Sequence, residues 1–441
     1  VRGTVPDALN ADVVYTIARA YATQAQSKNI TQVVIARDGR NSGPELLQAL
    51  AEGLQAGGLD VLNIGMVPTP VLYFACHHLK TGSGIMLTGS HNPSNYNGLK
   101  MMLAGETLSG DAVQALYHIT QLGEFVAGQG SLQEMDVKAA YLEAITQQIN
   151  LQKPIKLAID CGNGVTGELA PKLLQALGCE VTTLYTDIDG DFPNHHPDPS
   201  KPENLQDLIN TVQNNKLDLG LAFDGDGDRL GVVTNTGEII YPDRQMILFA
   251  RDVLAKRQGA PIIYDVKCSR LLRQAITDAR GTPIMARTGH SFVKAELKAQ
   301  NAPLAGEMSG HIFFNDDWYG FDDALYAAAR LLRILCNSEQ TPSEILSNLP
   351  DAINTPEINI SVTDEEKFAI VARFAELATF PDGEVDTTDG VRVDFHDGFG
   401  LIRASNTTPN LVLRFEGDDE ASLVRIQEAF EEQLAALDLR L

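Results

Sequence analysis

Ser90 lies in Thr88-Gly89-Ser90-His91-Asn92-Pro93, directly after the apolar run Gly84-Ile85-Met86-Leu87. Ligand sites of open α/β sheets sit at the C-terminal ends of their strands. Gly89 lets the chain turn sharply and Pro93 stiffens the exit, which would lift the serine hydroxyl toward a cleft. A serine hydroxyl is a weak nucleophile and needs activation. His91 is the obvious partner for acyl chemistry, but as the next residue in a turn its ring is free to point elsewhere. An ordinary Ser/Asn/Pro turn is the competing reading.

A second run, Asp224-Gly225-Asp226-Gly227-Asp228-Arg229, follows the apolar stretch 217–223. Alternate residues can point the same way, so three carboxylates converge. Uncompensated, they raise one another's pKa until a cation binds. An all-oxygen set suits Mg²⁺, which keeps positions open for water or phosphate. An EF-hand would need glycine after the third acid and glutamate at its twelfth position, where Arg229 and Asn235 stand. A solvated acidic turn is the plain alternative.

Two further loops are polar. Gly306-Glu307-Met308-Ser309-Gly310-His311 offers hydrogen bonds to sugar hydroxyls and an imidazole able to exchange protons near neutral pH. Arg403-Ala404-Ser405-Asn406-Thr407-Thr408-Pro409 combines a guanidinium, hydroxyls, an amide and turn N–H groups, equipment suited to a phosphate. Either is equally readable as a connecting loop. Gly162-Asn163-Gly164-Val165-Thr166-Gly167, with Asp187 downstream, matches the dinucleotide fingerprint. It supports a rival class, an NAD-linked oxidoreductase, that leaves Ser90 and the acid triplet without work.

The elements that must position these turns alternate. Helical periods at 11–26, 43–57 and 70–79 separate strands at 32–37, 60–65 and 84–88. The pattern restarts with strands at 156–160, 180–185 and 217–223 and helices at 168–177 and 203–214, then with helices at 243–257, 269–279 and 322–335 and strands at 261–266 and 302–305. Apolar strands separated by helices imply βαβ units and a largely parallel sheet. The tail differs. Strands at 357–362, 391–395, 400–404 and 410–415, with helices at 364–378 and 419–436, read as a smaller α+β unit. The expected domains are 1–135, 136–238, 239–351 and 352–441.

The 441 residues are 44% hydrophobic and 21% charged, a globular mixture. Acids outnumber bases, 58 to 34, for a net charge of −24, which disfavours nucleic acid and anionic membranes as partners. A phosphorylated substrate would need a locally positive pocket, for which Arg37, Arg40, Lys100, Arg229, Lys267 and Arg287 are candidates. Five scattered cysteines without a Cys-x-x-Cys pair fit a reducing cytoplasm. No run reaches the ~18 apolar residues of a membrane span.

Taken as an ordered set, the Ser90, Asp224, Glu307 and Arg403 turns resemble those of the α-D-phosphohexomutase family, over essentially the whole chain. The nearest type is the bacterial phosphomannomutase/phosphoglucomutase group. The resemblance implies three similar α/β domains with mixed sheets plus a smaller α+β C-terminal domain around a central cleft. It implies that Ser90 is a phosphoserine and that Asp224, Asp226 and Asp228 bind Mg²⁺ with an oxygen of that group. Glu307 and Ser309 would take sugar hydroxyls. Arg403, Ser405, Asn406 and Thr407 would hold the phosphate that is not transferred. Lys100, His311 and Arg2 would move protons and stabilise charge, and Arg229, Lys267 and His290 would line the cleft. The substrates would be hexose 1- and 6-phosphates, with glucose 1,6-bisphosphate as activator and intermediate, in a cytoplasmic monomer. Related phosphoglucosamine mutases tend to carry alanine at the Gly89 position and glutamine at that of Met308, which favours mannose and glucose. A sugar-phosphate-binding protein without turnover is the remaining alternative. The family's aromatic-Asp-Ile run before Arg2-Gly3 is missing, so a preceding segment is expected.

Overall fold

The computed structural model describes residues 1–406, 408–437 and 439–440. It contains two compact units, Val1–Tyr241 with Ser309–Ser347, and Pro242–Met308 with Asn348–Leu441. No helix among the described residues is long and apolar enough to cross a membrane.

In the first unit, helix Ala11–Ser27 starts at Asn10, whose side chain accepts the N–H of Val13 at 3.1 Å. Such a cap contributes about 1 kcal/mol. Its buried face, Val14, Ala18, Tyr21, Ala22 and Ala25, follows the helical repeat and packs on helix Gly43–Ala56. The helices approach closely because Gly53 has no side chain, and a Cβ there would lie 2.6 Å from that of Ala18. Both cover a sheet ordered Arg2–Thr4, Tyr96–Leu103, Gly84–Leu87, Gln32–Arg37, Asp60–Met66, Leu132–Glu134.

The central strands are parallel, as the βαβ pattern requires, but Tyr96–Leu103 runs antiparallel to both Gly84–Leu87 and Arg2–Thr4. The sheet is therefore mixed. The return strand escapes a period-based reading because it opens on Tyr96-Asn97-Gly98, residues that look like loop. Its register, Met86 opposite Lys100, puts a lysine beside the strand that leads to Ser90.

A second sheet of this unit is ordered Ile239–Ile240, Leu230–Thr234, Leu219–Phe223, Lys156–Asp160, Glu180–Leu184. Its last three strands are parallel and Leu230–Thr234 returns antiparallel beside Leu219–Phe223. The connection between those two strands is the acidic turn.

In the second unit, Thr282–Ala286, Pro261–Asp265 and Leu304–Gly306 are parallel, with helices Pro242–Lys256, Arg270–Asp278 and His290–Ala299 against them. An antiparallel sheet follows, in which Val391–Phe395, Gly398–Ala404 and Asn410–Gly417 are consecutive neighbours. Phe374, Phe380, Phe395, Phe415 and Phe430 form its core beneath helices Lys367–Leu377 and Glu420–Ala435.

Candidate active site

Ser90 is buried at the tip of the connection between Gly84–Leu87 and Tyr96–Leu103. Its φ is +52°, a left-handed conformation that costs a non-glycine residue energy and must be imposed by surroundings. Thr88 Oγ1 accepts the Ser90 N–H at 2.8 Å, and Asp38 accepts from Thr88 Oγ1 and the Gly89 N–H. The hydroxyl lies 3.3 Å from Asp224 Oδ2 and 3.2 Å from His91 Nδ1. The imidazole therefore stays beside the serine instead of turning away. Arg229, burial, Arg2 and His311 push the His91 pKa far down, so the ring is neutral.

The three aspartates are fully buried and converge, but by a turn rather than by simple alternation. Asp224 Oδ1 accepts the N–H groups of Gly227, Asp228 and Arg229 at 3.0–3.1 Å, which folds the loop around that carboxylate. Gly227 takes φ +77° to allow it. Thr69 donates to Asp226 at 2.5 Å. The Lys100 ammonium contacts Asp226 at 2.7 Å and also bonds Asp228.

Burial alone would raise all three carboxyl pKa values. For Asp226 and Asp228 it is more than offset, above all by Lys100, with Thr69 acting on Asp226 and His311 and Arg229 on Asp228. Asp224, pressed by burial and by both neighbouring carboxylates, stays well above the usual range. Ligand oxygens of the three lie within 4.8 Å of one another. Asp226 Oδ1 is buried with no hydrogen-bond partner among the described residues. An unmatched carboxylate oxygen in an all-oxygen cluster fits a hard divalent cation. Ligand atoms of Asp228, His311 and Asp322 likewise lie within 4.8 Å of one another, so Asp228 belongs to two possible sets.

Around this cluster stand the other predicted residues of the first unit. Arg2 is paired opposite Gly98 and donates to Asn92 Oδ1 at 2.9 Å. Its side chain keeps solvent exposure, while crowding of the guanidinium by surrounding protein and Arg229 lower its pKa and the three aspartates raise it in part. Arg229 Nε is 4.0 Å from Asp224 Oδ2 and 3.4 Å from His311 Nε2. His311 Nε2 lies 3.3 Å from Asp228 Oδ1, and its Nδ1 is 2.8 Å from Ser309 Oγ. Ser309 thus falls with His311, while Glu307, two residues earlier, belongs to the second unit. The Lys100 pKa is raised: burial opposes this, but Asp226, Asp228 and Asp322 prevail.

The second unit holds a separate constellation. The turn Thr288-Gly289 joins three predicted residues: Glu307 accepts the Gly289 N–H at 2.5 Å, Asn406 donates to the Thr288 carbonyl at 3.0 Å, and His290 opens helix His290–Ala299. Asp389 accepts both the Thr288 N–H, at 3.0 Å, and Arg403 Nε, at 2.9 Å. Arg403 is buried, and its Nη2 has no partner among the described residues, leaving donor capacity for an anion. Ser405 accepts from Thr408 at 2.8 Å. Lys267 is ion-paired with Glu357 at 2.6 Å. Thr407 lies outside the described residues.

Three basic candidates face elsewhere. Arg37 donates to the Asp38 carbonyl, Arg287 lies 4.3 Å over the Phe292 ring, and Arg40 is buried beneath the Ser90 turn. A Cβ at Gly89 would meet the Arg40 guanidinium at 2.4 Å, so glycine there serves the packing of the loop. The dinucleotide fingerprint is filled by its own chain. A Cβ at Gly162 would lie 2.9 Å from Pro197, at Gly164 3.0 Å from the Gly225 carbonyl, and at Gly167 2.0 Å from that of Thr186. Spacing gave no sign of Asp38, Thr69, Asp322 or Asp389. Their partners are remote in sequence, and only folding brings them together.

Fold and site together define an α/β protein that sets a buried serine hydroxyl against three convergent carboxylates. Family profiles match the chain in order: "Phosphoglucomutase/phosphomannomutase, alpha/beta/alpha domain I" over residues 1–127, domain II over 139–237, domain III over 241–353, and the C-terminal domain over 357–433. A phosphomannomutase/phosphoglucomutase of Pseudomonas aeruginosa is 52% identical over 438 residues, covering 99% of this chain and 95% of the relative. A phosphoglucomutase of Neisseria gonorrhoeae is 54% identical over 434 residues, 98% and 94% of the two chains. The crystal structure of a family protein from Burkholderia thailandensis superposes with a TM-score of 0.95 at 50% identity, covering 99% of this chain and 96% of that one. The chain belongs to the phosphoglucomutase/phosphomannomutase family.

Proposed function

We propose that the chain is a Mg²⁺-dependent phosphohexomutase that interconverts the 1- and 6-phosphates of mannose and glucose through phospho-Ser90 and a bound 1,6-bisphosphate. The names of relatives at about half identity support the reaction and the sugars. The observation that carries the mechanism is the Ser90 hydroxyl 3.3 Å from Asp224, beside carboxylates with an unmatched oxygen. The division into residues 1–135, 136–238, 239–351 and 352–441 is part of the reading, and the four profile matches support it.

Phosphoryl transfer leaves the protein mostly with positioning and charge stabilisation. Asp224, Asp226 and Asp228 would hold Mg²⁺ with an oxygen of the serine phosphate, and the ion would draw negative charge from the transferring oxygens. Lys100, Arg2 and Arg229 add positive charge from the protein. His311 takes the proton of the attacking sugar hydroxyl. The bond between Ser90 Oγ and phosphorus breaks as the bond to the sugar oxygen forms, giving the bisphosphate. After the sugar turns over, Ser90 Oγ accepts the other phosphoryl group and the proton returns to the sugar oxygen. Arg403, Ser405, Asn406 and Thr407 retain the phosphate that is not moving, Glu307 and Ser309 take sugar hydroxyls, and Lys267 and His290 flank them. Glucose 1,6-bisphosphate would restore phospho-Ser90 when the intermediate escapes. The place of action would be the cytoplasm.

The test is a coupled assay with mannose 1-phosphate and glucose 1-phosphate, with Mg²⁺ or EDTA, on wild type and Ser90→Ala. Turnover should need Mg²⁺ and fall at least about 10³-fold in Ser90→Ala. Equal turnover in the two proteins would remove Ser90 from the scheme. Binding without turnover in either would leave a sugar-phosphate-binding protein.

A further inference from the structure

Arg40 is among the largest fully buried side chains, at 1% exposure, yet it reaches no substrate-facing group. Each of its nitrogens is used. Nη2 donates to the carbonyls of Ser90, at 2.8 Å, and Asn92, at 2.6 Å. Nη1 donates to those of Pro93, at 2.5 Å, and Tyr96, at 2.9 Å. Nε faces Asp38 at 3.3 Å, and the same carboxylate accepts the Arg40 N–H, the Thr88 hydroxyl and the Gly89 N–H. The carbonyl left out of this grip, that of His91, accepts a hydrogen bond from His196 Nε2. All carbonyls from Ser90 to Pro93 are thus held by two side chains. The guanidinium is packed in turn by Phe192, whose ring centre is 5.2 Å away.

We propose that Arg40 and His196 are positioning residues for the nucleophile: together they impose the left-handed backbone at Ser90 that aims Oγ at the carboxylate cluster. Neither touches the reacting atoms. Arginine is specifically required at residue 40, because a planar guanidinium presents five donors in a fixed fork, whereas an ammonium has three and no plane. Lysine preserves the charge but cannot span four carbonyls and Asp38 at once. The backbone of 90–93 would then relax from φ +52°, displacing Oγ by something on the order of 1 Å. A misplacement of that size costs about 10²-fold in rate. Substrate affinity is untouched, because the sugar and its non-transferring phosphate are held by other residues.

The inference rests on the mutase reading, and one experiment separates the two. Wild type, Arg40→Lys, His196→Leu and His196→Gln are assayed with glucose 1-phosphate, and rates are normalised to folded protein and to phospho-Ser90 titrated by mass. An inactive wild type sinks the mutase reading. With an active wild type, Arg40→Lys should lose about 10²-fold in kcat with KM within threefold. His196→Leu should lose about tenfold, and His196→Gln, whose amide replaces the Nε2 donor, should recover most of it. A merely structural role would lower the folded fraction, which the normalisation removes, and would not be rescued by glutamine. Arg40→Lys with kcat within threefold of wild type, or with only KM raised, overturns the proposal. If Arg40→Lys does not fold, the His196 pair decides: equal kcat in His196→Leu and wild type overturns it.

Discussion

Lys100→Met removes the cation that Asp226 and Asp228 share while keeping the length of the aliphatic stem. In the wild type the ammonium side chain is 8% exposed and both carboxylates are fully buried, so solvent does little to screen the pair. Stripping one partner from a buried pair destabilises by about 3–5 kcal/mol, because the charge left behind has no compensation. For a unit of this size each kcal/mol moves the melting temperature by about 2–4 °C, so in EDTA Lys100→Met should melt roughly 6–20 °C below wild type. A divalent ion at the same carboxylates should return much of that loss. At a concentration near 100 times its Kd it contributes about 2.7 kcal/mol. In the wild type the ion must first compete with the ammonium, so Mg²⁺ should raise the melting temperature of the variant more than that of the wild type. The assay is thermal unfolding of both proteins in EDTA and across a Mg²⁺ titration. If the two melt within about 2 °C of each other in EDTA, or if Mg²⁺ shifts both equally, the cluster is not a cation site held by Lys100 in the ion's absence.

Asp389→Asn should loosen Arg403, which it holds at 2.9 Å. Losing a hydrogen bond between charged groups should raise KM for a hexose phosphate about tenfold or more with kcat nearly kept, as steady-state kinetics would show. The His195–Asp160 contact at 2.9 Å predicts a pH-dependent stability. Burial would lower the His195 pKa, but the hydrogen bond and charge of Asp160 more than offset it, so the folded value is raised. That stabilisation is present in full below about pH 6.5, the unfolded value, and is lost as pH climbs through the folded one. Urea unfolding should therefore show Asp160→Asn about 1–2 kcal/mol less stable than wild type at pH 5.5, with a smaller gap at pH 9. A gap that does not change with pH would show that His195 carries no charge there.

The candidate site was legible where side-chain chemistry and turn formation coincide in consecutive residues. Ser90 and the three aspartates follow apolar strands, and glycines between them mark the tight path. Period-based reading also found strand Gln32–Arg37 and helix Ala11–Ser27, whose patterns are unbroken. What escaped depends on contacts far apart in sequence. Arg40 is separated from Ser90 by 50 residues, and Thr69 from Asp226 by 157, so no local spacing links them. Strands such as Tyr96–Leu103 and Leu230–Thr234 return antiparallel from the Ser90 and Asp224 turns, where polar or glycine-rich beginnings blur the apolar run. The same remoteness explains Arg40, whose charge suggested a ligand but whose fork serves the backbone.

The Ser90 loop is the tip of a hairpin, and its two arms are hydrogen-bonded strands with Met86 opposite Lys100. Side chains on a strand alternate between faces, so a slip of one residue turns every side chain over. Deleting a single residue between Ser90 and Tyr96 would therefore do more than shorten a loop. It would rotate Lys100 away from the aspartates and offer Met101 in its stead, disturbing the Ser90 turn and the lysine beside it with one genetic event. The ladder works like a gear train, in which the serine and the lysine keep their phase only because the tooth count between them is fixed.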